Sequence, residues 1–168
     1  MDFCAVVRPD VMHDLSIFPY PFEDNSFDLI EADHVIEHLG SPFRVIKELH
    51  RIGRNNAKVS IKTPHFSRAF THPEHKSGFD VSLPLYYSPS FTGGYQGVEF
   101  SLTRMRLRWF GQPYLKKKTL SPPAYWVGRA LGVIIDVFAN LSPYACSRIW
   151  CFWVGGFDEL EFEFCIRK

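Results

Sequence analysis

Two strand-like runs flanking one amphipathic helical segment constrain this chain more than any other feature. Phe27-Asp28-Leu29-Ile30-Glu31-Ala32 reads as a strand. Ser41-Pro42 then supplies a cap and a first-turn proline for a helix whose apolar positions Phe43, Val45, Ile46, Leu49 and Ile52 fall near helical spacing. Its cations Lys47, Arg51 and Arg54 lie late, as the helix dipole prefers, and Asn55-Asn56 is expected to stop it. Lys58-Val59-Ser60-Ile61-Lys62-Thr63 alternates with period two before Pro64 ends it. Strand, helix and strand at this spacing imply a parallel sheet with right-handed crossovers.

The flanking segments fit the same scaffold. Asp10-Val11-Met12-His13-Asp14-Leu15 reads as a short buried strand ending at Asp14, followed by a proline-punctuated loop and a turn at Glu23-Asp24-Asn25-Ser26. Residues 65–124 are rich in proline and glycine, with one alternating stretch, Val98 to Trp109, expected as a hairpin. Residues 124–141 are apolar at helical spacing, and Leu160 to Ile166 alternate as an antiparallel closing strand. We therefore expect one domain, divided into a core over 1–66, an inserted region over 67–124, and a helix with closing strand over 125–168.

Charge gives no argument for nucleic acid, since 19 lysines and arginines stand against 18 acidic residues. Lys116-Lys117-Lys118 beside prolines reads as a solvated loop. The four cysteines (Cys4, Cys146, Cys151, Cys165) form no CxxC pair, and Met1-Asp2-Phe3 does not open a signal peptide. A reduced, cytoplasmic setting is the expectation.

Three pieces in order carry a family likeness: His13-Asp14-Leu15, then Phe18-Pro19-Tyr20-Pro21-Phe22-Glu23-Asp24-Asn25-Ser26-Phe27-Asp28, then His34-Val35-Ile36-Glu37-His38-Leu39. This pattern resembles the class I S-adenosylmethionine-dependent methyltransferases of the small-molecule type. The resemblance implies a partial Rossmann-like α/β sheet. Its strands would correspond to the third, fourth and fifth of that family plus the antiparallel carboxy-terminal pair, with an inserted loop and hairpin region. It implies S-adenosylmethionine as cofactor and a small-molecule, glycan or lipid-linked acceptor.

In such sheets the ligand crosses the carboxyl ends of the strands, so residues just beyond each strand matter most. By resemblance, Asp14 and the Leu15 backbone meet the adenine, Asp2 takes the ribose hydroxyls, and Ala32 and Asp33 lie near the methionine part of the cofactor. Asp33 or His34 is the candidate to orient a nucleophile or take its proton, since imidazole titrates near neutrality. His38, four residues on, would share a helical face with His34. His65, His72 and His75 resemble the substrate side of the pocket in some bacterial members. His65, His72 and His75 also invite a metal reading, because an HxxH pair can give zinc two ligands, but no cysteine or carboxylate trio completes a ligand set at convincing spacing, and no metal is expected.

The family's glycine-rich turn, GxGxG after a first strand, is absent: Gly93-Gly94 and Gly155-Gly156 lie far downstream. The resemblance therefore implies an amino-terminally truncated sheet whose Asp28 to Glu31 strand has an unpaired, apolar edge. An upstream segment, a partner or a second copy is expected to complete it. The alternative to an active transferase is a silent or partner-dependent fragment without cofactor affinity.

Tyr125 to Val154 is rich in aromatics but is interrupted by Arg129, Asp136 and Arg148, so no window reaches the roughly 18 uncharged apolar residues of a membrane span. A buried or dimer-forming helix is expected there, with an interfacial helix lying on a bilayer as the alternative.

Overall fold

The computed structural model describes Met1 and residues 8–168. Its strands are β1 (Phe27–Asp33), β2 (Gly53–Pro64), β3 (Glu99–Arg108) and β4 (Glu159–Arg167). They form one sheet in the order β1-β2-β4-β3. β1 and β2 are parallel, and β4 runs antiparallel to both of its neighbours. Helix α1 (Pro42–Ile52) is the crossover between β1 and β2. The expected mixed α/β sheet is thus present.

Alternation sets the two faces of this sheet. Ala57, Val59 and Ile61 of β2 and Leu160, Phe162, Phe164 and Ile166 of β4 are buried on one face. There they meet Val45, Ile46, Leu49 and Ile52 of α1, together with Leu83 and Tyr87 from a 3-10 turn at Leu83–Tyr87. Each such side chain contributes about 1.5–3 kcal/mol by leaving water. The opposite face carries ion pairs in rows, including Lys62 with Asp33 and Arg108 with Glu161.

The loop before β1 is fixed from α1. Arg51 donates to Glu48, to Asp24 and to the carbonyls of Tyr20 and Phe22, and Glu48 accepts the Tyr20 amide. A single guanidinium fork thus ties the proline-rich loop to the crossover helix.

Within Val11–Asp14, Met12 is a β-bridge position. Three expectations need correction. Val98 to Trp109 is no hairpin but the single strand β3, whose partner is β4, about 60 residues away. Asn55-Asn56 does not stop α1, because Gly53 already begins β2; a Cβ on Gly53 would sit 2.3 Å from Ile166 Cδ1. Lys116-Lys117-Lys118 lies in helix α3 (Pro113–Thr119), where the Lys116 ammonium pairs with Asp158.

Residues from all three expected segments therefore share one sheet and core. After β2 comes the short helix α2 (Phe66–Ala69), and after α3 comes α4 (Pro122–Ala139). α4 closes on the β3 edge: Asn140 bonds both the amide and the carbonyl of Leu107, and Asp136 accepts the Trp109 amide. Gly132 lets it approach, since a Cβ there would lie 2.7 Å from Phe110 Cβ.

Candidate active site

Parallel strands β1 and β2 end where antiparallel β4 begins, because Asp33 pairs with Lys62 and Pro64 pairs with Glu159. The tip of β1 and the first residue of β4 therefore meet at the carboxyl end of the sheet. His34, the residue after β1, has φ 53° and is not glycine. This left-handed turn costs about 1–2 kcal/mol, and such conformations cluster at functional sites.

The His34 amide donates to the Lys62 carbonyl at 2.9 Å, which holds the turn. Its ring is then clasped by two acids: Nε2 lies 2.7 Å from Glu159 Oε2, and Nδ1 lies 3.2 Å from Glu37 Oε1. Glu37, in the 3-10 turn Ile36–His38, is fully buried, and its Oε2 has no hydrogen-bond partner. Burial opposes a charge on His34, but the hydrogen bonds to Glu159 and Glu37 outweigh it and push the imidazole up to about 9.

His34 is therefore an imidazolium at neutral pH. Its geometry makes it a donor that binds two carboxylates. Asp33 is exposed and paired with Lys62 at 2.7 Å.

Two clefts meet at His34 and His38. The first, about 700 Å³, is lined by Asp14, Leu15, Ser16, Val35, Leu39 and neighbouring residues. The second, about 420 Å³, is lined by Glu37, Arg68, His72, His75, Lys116, Glu159 and neighbouring residues. Both volumes suit small-molecule sites. Its wall is fixed through Asp158, which holds the Lys116 ammonium and the Arg68 guanidinium and accepts the Gly111 amide at 2.9 Å.

Asp14 lies on the first cleft, with Oδ1 accepting the Ser16 amide at 2.8 Å in an Asx turn. Leu15 faces that cleft as well, and also a smaller apolar cavity of about 240 Å³ shared with Ala32. Asp2 lies outside the described residues. His38 shares no helical face with His34, because His34 precedes the 3-10 turn.

His72 and His75 line the second cleft, but His65 does not. His65 is fully buried, with Nδ1 at 2.7 Å from Ser67 Oγ and Nε2 at 2.9 Å from Ser147 Oγ. Burial lowers it to about 4, so it is a neutral hub joining α2 to the segment before β4. Glu159 was missed by the sequence reading. The alternation of Leu160 to Ile166 marks a strand, but nothing local says that its first carboxylate reaches a histidine 125 residues earlier.

A Rossmann-like sheet with its clefts at the carboxyl ends of the parallel strands is the architecture of class I methyltransferases. A family profile described as a methyltransferase domain matches residues 5–61. The chain is 32% identical over 59 residues to an uncharacterised methyltransferase of Schizosaccharomyces pombe, a match covering 35% of this chain and 21% of that protein. A methyltransferase from Mesorhizobium loti shares the fold at TM-score 0.54 and 11% identity, covering 95% of this chain and 72% of its own. A second, from Archaeoglobus fulgidus, aligns at TM-score 0.51 and 16% identity over 92% of this chain and 66% of its own. The segment 5–61 is thus similar to a methyltransferase domain, and the chain shares the Rossmann-like fold of these methyltransferases. The chain spans about a fifth of the yeast relative and less than two thirds of the archaeal one.

Proposed function

We propose that this chain takes part in S-adenosylmethionine-dependent methyl transfer to a small-molecule, glycan or lipid-linked acceptor. The observation that carries the reading is the His34-Glu37-Glu159 cluster, which sits between two clefts at the carboxyl end of β1.

The first cleft fits the adenine end of the cofactor. Asp14 presents an exposed carboxylate there beside the Leu15 backbone, and Val35 and Leu39 offer apolar contact. Bound S-adenosylmethionine supplies an activated methyl group. The protein's part is then to hold the acceptor in line and accept its proton. In this reading the acceptor occupies the second cleft, its hydroxyl or amine donating to Glu37 Oε2, the buried oxygen with no other partner. His34 keeps Glu37 and Glu159 in place and offsets their charge.

Calorimetric titration of S-adenosylmethionine and S-adenosylhomocysteine into the purified chain tests this directly. Micromolar binding that is lost in Asp14→Ala supports the proposal. Absence of binding by the folded chain sinks it and favours the alternative, a silent or partner-dependent subunit.

A lipid-linked acceptor has its own support. α4 buries only Tyr125, Gly132 and Ala139, while Trp126, Val133, Val137 and Phe138 face outward, and Trp153 is 80% exposed. Monomeric soluble proteins rarely expose a contiguous apolar patch of this kind. Among the described residues no single helix is long and apolar enough to cross a membrane. α4 and Pro143–Trp150, bent by 114°, have that length and apolarity only together. We place this ridge on a bilayer surface, with Arg129 and Arg148 toward the headgroups.

A further inference from the structure

We infer that His38, His72 and His75 form a zinc site that opens onto the second cleft. The sequence shows an HxxH pair without further ligands; the fold adds the third. His38 comes from the 3-10 turn after β1, whereas His72 and His75 come from the turn after α2, 34 residues later. One ring nitrogen from each lies within 4.8 Å of the other two.

The rings are already gathered. His72 and His75 stack with centroids 4.8 Å apart and planes 22° apart, and His38 meets them edge-on at 5.5 and 4.8 Å. A backbone turn from the His75 amide to the His72 carbonyl fixes the pair, and the Lys76 amide bonds the Glu37 carbonyl, tying that turn to the one carrying His38. Ligands on a tetrahedral zinc stand about 3.3 Å apart, given Zn–N bonds of about 2.0–2.1 Å. The nitrogens, within 4.8 Å of one another, stand near that spacing, and His72 is exposed.

Two further observations favour a cation. No ion pair among the described residues involves these three rings, so the cluster is not a charged group balanced by nearby acid. His75 Nδ1 is hydrogen-bonded to the Ala69 carbonyl, and only a ring N–H can donate there, which leaves the Nε2 lone pair for the metal. The Glu74 amide points at His72 Nδ1 from 3.3 Å, a contact that either leaves Nε2 to the metal after proton loss or yields Nδ1 to it.

Three protein ligands leave a fourth position open, as in catalytic zinc sites, and here it faces a cleft of about 420 Å³. The class of ligand is a water molecule or the hydroxyl or carboxylate oxygen of a molecule in that cleft. This site does not depend on methyl transfer and stands if the chain binds no S-adenosylmethionine.

The test uses the full chain without a histidine tag, stripped with a chelator and reloaded with Zn²⁺ alone or Co²⁺ alone. We expect one zinc per chain by atomic emission, and a visible Co²⁺ band of the intensity typical of four-coordination. His38→Gln, His72→Ala and His75→Ala should each weaken binding at least about a hundred-fold, since losing even an outer partner of a ligand costs 10–100-fold. His50→Gln, remote from the cluster, should bind as the parent does. Circular dichroism separates lost ligands from lost folding, and exposed His72 makes His72→Ala the variant safest on that count. Absence of stoichiometric zinc in the folded parent overturns the site. So does a His38→Gln chain that binds as tightly as the parent, because the metal would then be held by the HxxH pair alone.

Discussion

His34 Nε2 stands 2.7 Å from Glu159 Oε2, joining the residue after β1 to the residue that begins β4 across 125 positions of sequence. The pair exists because an antiparallel strand inserted beside parallel ones starts where they stop. Its energetics follow from burial: the His34 side chain is 18% exposed and that of Glu159 is 9%. Removing one member leaves the other as an uncompensated charge, which is the costly way to break such a pair.

The pH dependence has a definite sign. His34 is raised to about 9 in the folded chain, above the 6.5 of a free imidazole. Its contribution to stability is thus complete below about pH 6.5 and is lost as pH rises through about 9. Urea unfolding followed from about pH 6 to about pH 10 should show a loss on the order of 2 kcal/mol, reduced from the full shift because solvent reaches the ring. Glu159→Gln should be less stable at pH 6 and flatter across that range. A parent curve as flat as the variant's would mean that the pair carries no charge.

How much of this was legible in the sequence depends on the range of the interaction. α1 and β2 could be read because their signals are local: a proline at the first turn, apolar residues at helical spacing, period two before Pro64. The β3 strand was misread as a hairpin because alternation marks a strand and not its partner. At the site, Glu37 and His38 lay inside the recognised motif. Glu159 and the gathering of His38 with His72 and His75 did not, since both depend on register and turn placement. His65 failed for a different reason: a histidine beside a strand end looks the same whether it faces a cleft or two serines.

Glu37 should separate chemistry from binding. Its Oε2 is the acceptor we assign to the substrate proton, while Oε1 holds His34. Glu37→Gln keeps the shape and weakens the base. We expect S-adenosylmethionine affinity within a few-fold of the parent, and methyl transfer to the acceptor, once identified, slower by about 10²–10⁴. Transfer at the parental rate would remove Glu37 from the proton path.

His65 titrates in the opposite direction to His34. Burial holds it at about 4, so it contributes stability above about pH 6.5 that is lost as pH falls toward 4. His65→Leu should lose about 2–4 kcal/mol through the stranded Ser67 and Ser147 hydroxyls, lowering the melting temperature by about 6–12 °C. Ligand affinity of the folded variant should stay within about twofold. A fully stable variant that no longer binds its acceptor would return His65 to the substrate side.

The exposed ridge makes the last prediction. α4 is apolar on nearly every side, yet its contact with the body is the narrow stripe of Tyr125, Gly132 and Ala139. A helix of this kind needs a second apolar neighbour, either lipid or protein. If the neighbour is lipid, the chain should float with vesicles containing about a third anionic lipid and stay behind at high salt only in part, because apolar burial persists after charges are screened. Val133→Glu with Val137→Glu replaces two outward side chains that touch neither cleft, so it should abolish flotation and leave the fold intact. If the neighbour is a second copy, the parent should instead sediment as a dimer without lipid, and the same double variant should be monomeric. A parent that is monomeric and does not float would leave α4 without either partner and would remove the support it gives to a lipid-linked acceptor.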